Sequence, residues 1–195
     1  MSEFVKRVLE RARPTGIREY QFQSWPVPGK ATSEAVGLLP IPGVDGKKVL
    51  ERVMDVGRYV GNVDHVVESR VVQDAHHKPP EVVRFYQRIK IPIIGEIQHE
   101  LVMRRLQQGG FDIAAWELLA KETEALSTKV GIRSGYSDGA WLVADGVVGY
   151  ALSSAPRRED VGLLKWKALT AGAEVAASKM IRENIEAMVR WSKRP

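Results

Sequence analysis

The chain has 195 residues, of which 44% are hydrophobic and 27% charged, with a formal net charge of +5 and no cysteine. This composition fits one globular domain with a terminal addition; it excludes a disordered chain, a disulfide scaffold, a thiolate metal site and a cysteine nucleophile. No apolar run nears the roughly 20 residues that span a bilayer, and the N-terminus MSEFVKRVLERARP lacks the apolar core of a signal peptide, so a cytoplasmic protein is expected.

Residues 3–12 predict an amphipathic helix, with Phe4, Val5, Val8 and Leu9 at helical spacing among Lys6, Arg7, Glu10 and Arg11. Pro14 and Gly16 end it. Such a helix either packs on the domain or touches a membrane surface or partner. Residues 17–30, punctuated by Pro26 and Pro28, read as an extended connection. A first strand is expected over 32–39, and a helix over 45–56 with Asp45 as N-cap and Val49, Leu50, Val53 and Met54 as its apolar stripe.

A series of strands follows. In the second, His65, Val67, Ser69 and Val71 alternate with Val66, Glu68, Arg70 and Val72. In the third, Val83, Phe85, Gln87 and Ile89 share one face. The fourth, about 97–106, puts Ile97, His99, Leu101 and Met103 together. A fifth runs over about 111–122, and the last two, 133–144 and 147–154, join at Asp145-Gly146, a strong hairpin signal.

From 160 to 192 the period changes to 3.6, predicting one long helix capped by Asp160. Its wide apolar face holds Trp166, Leu169, Thr170, Ala173, Ala176, Ala177, Met180, Ile181, Asn184 and Met188, with charges largely opposite. That face must cover the sheet. Strands in series closed by a helix read as α+β with an antiparallel sheet.

This order of elements resembles the START-like (helix-grip, SRPBCC-type) superfamily, which includes lipid-transfer START domains and polyketide cyclases. The local likeness lies in Val49-Leu50-Glu51-Arg52-Val53-Met54-Asp55-Val56-Gly57-Arg58-Tyr59, running on to Asn62-Val63-Asp64-His65-Val66-Val67-Glu68-Ser69. It covers about residues 32–192. The resemblance implies a curved antiparallel sheet wrapped around a long C-terminal helix, with residues 1–30 as an N-terminal helix and extended connection and 31–195 as the START-like domain. Many such sequences carry an Arg-Asp pair near the start of the fourth strand. Here Gly95-Glu96-Ile97-Gln98-His99-Glu100 stands there, so no ligand role transfers to that position.

The resemblance further implies a cavity between sheet and final helix. Ala173, Ala176 and Ala177 either seat the helix close or leave room for a guest. The candidate ligand-binding residues are Val67, Ser69, Phe85, Gln87, His99, Leu101, Met103, Trp116, Trp141, Trp166, Thr170, Ala173, Ala177 and Met180: a mainly apolar set with a few polar groups to fix orientation. His99 reads equally as a hydrogen-bonded core residue, and Met103 and Met180 as adaptable core.

No GxGxxG between strand and helix, Walker loop, HExxH or GxSxG is present. The histidines do not converge by spacing, so neither metal nor cofactor is expected. Arg11 with Arg13, Arg104-Arg105 and Arg157-Arg158 are scattered clusters without interleaved aromatics, so no nucleic-acid partner is expected. Three functions stay open: binding or transport of a lipid, sterol or polyketide-like molecule; a cyclase-like enzyme using His99 as acid or base; and a protein- or membrane-interaction module contacting its partner through the N-terminal helix. The lack of a catalytic constellation favours the first.

Overall fold

The computed structural model describes residues 2–91, 94–170 and 173–194, without the side chains of 168–170 and 173–174. Its elements run α1 (Glu3–Arg11), β1 (Gln21–Trp25), β2 (Glu34–Pro40), α2 (Gly46–Met54), a 3₁₀ turn (Val56–Arg58), β3 (Val66–Val71), β4 (Val82–Ile91), β5 (Gly95–Gln108), β6 (Phe111–Leu118), α3 (Ala120–Glu124), β7 (Ile132–Ala144), β8 (Val147–Pro156), α4 (Arg158–Val161), α5 (Leu163–Thr170) and α6 (Ala173–Ser192). The eight strands form one sheet in the order β1-β2-β8-β7-β6-β5-β4-β3. Neighbours are antiparallel. Because β6 stops at Leu118, the start of β7 also pairs in parallel with β5 at Ile97 and Gln98. This is the α+β helix-grip fold.

The sheet has two buried faces. On the inner face, α2 and α6 cover Val83, Phe85, Leu101, Met103, Trp116, Trp141, Val143 and Val148. The helices contribute Val49, Leu50 and Val53, then Ile181, Ile185, Met188, Val189 and Trp191. Two glycines set the closeness of this packing. A Cβ on Gly37 would lie 2.5 Å from Ile181 Cγ2, so only glycine lets α6 sit against β2. A Cβ on Gly139 would lie 1.9 Å from Trp116 Cζ2, so the indole lies flat over bare backbone.

On the outer face, α1 presses Phe4, Val5, Val8 and the following Ala12 onto Val36, Leu38, Phe111, Ile113, Ala140 and Leu142. Burying each large aliphatic or aromatic group is worth about 1.5–3 kcal/mol. A buried ionic cluster fastens the same corner. Fully buried Glu34 accepts from Arg7 Nε and Nη2 (2.9 and 2.7 Å), Trp25 Nε1 (3.0 Å) and Lys30 Nζ (3.1 Å). These donors hold the Glu34 carboxyl below its ordinary value against the opposing effect of burial. Among the described residues no helix is long and apolar enough to cross a membrane.

Several expectations change. Residues 17–30 include a strand, β1 (Gln21–Trp25), whose two large apolar groups, Phe22 and Trp25, are too few to announce it. The fifth strand ends earlier than expected, and α3 occupies residues 120–124. The last helix is not continuous from 160: Gly162, at φ 78°, separates α4 from α5. Asp160 does not cap a long helix. It lies within α4 and accepts from Arg133 Nε and Nη2 at 2.8 and 2.9 Å. Finally, α1 has spent its apolar side on the sheet, which removes the free amphipathic face that a membrane-contacting N-terminal helix requires.

Candidate ligand site on the inner face

Strand register decides which side chains share the inner face. Across β3, β4, β5 and β6 it aligns Ser69 with Gln87 and His99, then Val71 with Phe85, Leu101 and Leu118, then Val83 with Met103 and Trp116. Toward β8 the same face carries Gly139, Trp141 and Val143 opposite Leu152, Tyr150 and Val148. The first row is polar and the others are apolar.

The polar row is a connected chain. His99 is 3% exposed, Nδ1 lies 2.8 Å from Ser134 Oγ, and Nε2 lies 3.2 Å from Gln87 Oε1. The Gln87 oxygen can only accept, so Nε2 carries the proton and Nδ1 accepts from the Ser134 hydroxyl. Burial pushes the His99 pKa down to about 4, leaving a neutral ring with both nitrogens engaged. Ser69 Oγ, next in line beyond Gln87, is buried with no hydrogen-bond partner among the described residues. A hydroxyl in that condition costs about 1–3 kcal/mol unless something else satisfies it.

Two rows further toward the β5–β6 hairpin, beyond Phe85 and Leu101, an aromatic wall begins at Trp116. Tyr150 packs between Trp116 and Trp141, with ring centroids 5.5 and 4.6 Å away. Burial raises the pKa of its phenol. Tyr59 donates to the Val53 carbonyl and meets Phe85 and Trp191 edge-on, closing the apolar end. Charged side chains on the inner face of the strands are confined to its hairpin end, at Arg105 and Asp112, opposite Ala114 and Val143.

α6 grips the sheet unevenly. From Ile181 onward its inner residues lie at 0–8% exposure. Before Ile181, Ala177 and Met180 are only half-buried, while Ala176 is exposed. Val175 is 83% exposed, as are Leu163 at 59% and Leu164 at 85% on α5. Trp166 is half-buried, and Lys165 Nζ donates to the Ile94 carbonyl at 3.0 Å, placing α5 at the β4–β5 end of the sheet.

Of the residues singled out from sequence, Phe85, His99, Leu101, Met103, Trp116 and Trp141 are buried on the inner face, joined by half-buried Gln87 and Ser69. The side chains of Thr170 and Ala173 lie outside the described residues. Val67 does not share a face with Ser69. A bulge between Val66 and Glu68 makes Val67 the extra residue, so Val66 turns inward at 9% exposure and Val67 is left at 37%. Sequence reasoning missed Ser134 and Tyr150. Tyr150 was legible by its alternation with Val148 and Leu152. Ser134 was not, because a bulge between Ser134 and Tyr136 resets the phase of β7.

The geometry is that of the START-like helix-grip fold, and comparison with solved structures agrees. A STAR-related lipid transfer protein fragment from Xanthomonas axonopodis superposes with a TM-score of 0.69 at 13% identity, over 92% of this chain and 97% of its own. Human STARD10 gives 0.71 at 13% identity, over 97% of this chain and 79% of its own. One half of the di-domain ARO/CYC StfQ from the steffimycin biosynthetic pathway is also similar, with a TM-score of 0.52 at 12% identity over 82% of this chain and 50% of that one. No protein-family model matches the chain, and no curated protein sequence matches it.

Proposed function

We propose that the chain binds or carries an uncharged hydrophobic small molecule between the inner face of the sheet and the helical residues Trp166, Ala177 and Met180. The observation that carries this reading is the unpartnered Ser69 hydroxyl, which ends a neutral polar row on an otherwise apolar face. A guest with an apolar body and one hydroxyl or carbonyl group satisfies both parts of that surface. The looser seating of α6 before Ile181 supports it: Ala177 and Met180 are only half-buried where Ile181 and Met188 are fully buried. The lipid-transfer name of the similar Xanthomonas axonopodis structure points the same way. Any contact with a membrane surface during loading we assign to exposed Leu163, Leu164 and Val175, near Lys165 and Lys179, and not to α1.

The cyclase-like reading asks His99 to exchange a proton near neutral pH. A ring with a pKa near 4 and both nitrogens engaged is a weak base and, near neutral pH, lacks the acidic proton of an imidazolium. Binding without turnover therefore fits better.

The test is titration with an environment-sensitive apolar dye, comparing the wild type with Ala177→Trp. A filled guest space lowers dye affinity at least tenfold in the variant and leaves its melting temperature within a few degrees. If the wild type takes no dye, or the variant binds as well as wild type, the reading fails.

A further inference from the structure

We propose that β3 is a self-pairing edge, through which two copies of this chain join antiparallel about Ser69. The proposal stands apart from the ligand reading and rests on strand geometry.

β3 closes one side of the sheet, with no strand beyond it. In an antiparallel pair, alternate residues turn their backbone groups toward the partner strand. Val72 N–H donates to the Arg84 carbonyl, so Val72 and Arg70 point toward β4. Ser69 and Val71 therefore turn their N–H and C=O groups outward, to the open edge. Edges are blunted by proline, charge, shortness or bulges; the strand Val66-Val67-Glu68-Ser69-Arg70-Val71 has no proline or lysine, and its one acidic and one basic residue can complement a second copy as well as repel a wrong partner.

Charge then selects one register. A two-fold axis at Ser69 sets Ser69 against Ser69, with the outward backbone groups facing each other. It also sets Glu68 against Arg70 and Val67 against Val71 of the second copy. Both valines are exposed, at 37% and 41%; Glu68 and Arg70, 39% and 57% exposed, pair at 3.6 Å within one chain and exchange that pairing for one across the axis, while Glu68 keeps Arg88 at 3.2 Å. An axis at Arg70 would oppose two arginines, and one at Val71 would oppose Glu68 and Asp74. Like charges directly opposite are unfavourable, so of these three axes the one at Ser69 is complementary throughout. The bulge at Val67 limits the paired stretch to about residues 67–71. The two sheets become one continuous sheet, and the side chain of Ser69 stays on the inner face.

Sedimentation velocity over a wide range of chain concentration, with native mass spectrometry, tests this. Wild type should show a concentration-dependent monomer–dimer equilibrium. Glu68→Arg and Arg70→Glu each set like charges across the axis, and each should need at least tenfold more protein to dimerise. Mixed in equal amounts, the two variants regain complementary pairs and should form heterodimers about as readily as wild type dimerises. Circular dichroism confirms that each variant is folded. A wild type that stays monomeric up to millimolar chain overturns the proposal. So do single variants that dimerise like wild type, or a mixture no better than either variant alone.

Discussion

His99 Nδ1 and Ser134 Oγ meet at 2.8 Å across the parallel pairing of β5 with β7, which seals the imidazole inside the sheet's inner face. Burial lowers its pKa from 6.5 to about 4. The unfolded chain takes up a proton below pH 6.5, whereas the folded chain resists until about pH 4. The stabilisation is complete above pH 6.5 and is lost as the pH falls toward 4, reaching roughly 3 kcal/mol. Urea unfolding of the wild type at pH 7 and pH 5 should show this fall. His99→Gln should flatten it, and an equal fall in that variant would contradict the assignment.

Ser69→Ala removes a buried hydroxyl that lacks a protein partner, so stability should hold or rise slightly. Affinity for an apolar ligand bearing a hydroxyl should drop several-fold, equivalent to about 1 kcal/mol, while affinity for the matching hydrocarbon stays the same. Calorimetric titration with both ligands separates these outcomes. A marked loss of thermal stability would show that Ser69 already serves a structural bond.

The inner polar row offers no cation to a ligand anion. A long-chain alcohol should therefore displace a bound apolar dye at lower concentration than the fatty acid of equal length. Each CH₂ is worth about 0.8 kcal/mol in either ligand, so the difference reports the headgroup alone. Preference for the acid would place an unrecognised positive group at the site.

Glu34 anchors β2 to α1 and Lys30 through Arg7, Lys30 and Trp25. Removing the buried carboxylate strands Arg7 and the Trp25 N–H, while Lys30 keeps Asp138 at 3.0 Å and Ser153 at 2.9 Å, and Glu34→Ala should cost about 3 kcal/mol. Arg7→Ala should cost clearly less, because Lys30 and Trp25 still satisfy Glu34 and the Arg7 side chain is 31% exposed. Equilibrium denaturation orders the two, and the reverse order would refute this account of the cluster.

Gly139→Ala forces a methyl group into the Trp116 indole. Overpacking of this kind costs about 1–3 kcal/mol or more. Adding Trp116→Leu should recover part of the loss, measured as a positive coupling in a double-mutant cycle. Simple additivity would mean that the indole moves aside without cost.

Much of this architecture is legible in the residues. The alternation of Val83, Phe85, Gln87 and Ile89, and of Ile97, His99, Leu101 and Met103, places both inner faces correctly, and Asp45 caps α2 through the Lys47 and Lys48 amides. Periodicity fails where the backbone inserts a residue: the bulges at Val67 and near Gly135 shift the phase and hide Ser134. It fails again in the final helix, where a single glycine at positive φ interrupts a pattern that otherwise continues across it. β1 escaped notice because Gln21-Phe22-Gln23-Ser24-Trp25 carries only two large apolar groups, and its strand character comes from pairing with β2.

The most direct measurement is native mass spectrometry of protein purified under mild conditions, followed by extraction and identification of any bound compound. The account predicts a stoichiometric, uncharged, largely apolar molecule that leaves when the protein is denatured. A bare polypeptide mass, together with no uptake of an apolar dye, would mean that α5 and α6 simply close over the sheet, and the ligand-binding reading would be wrong.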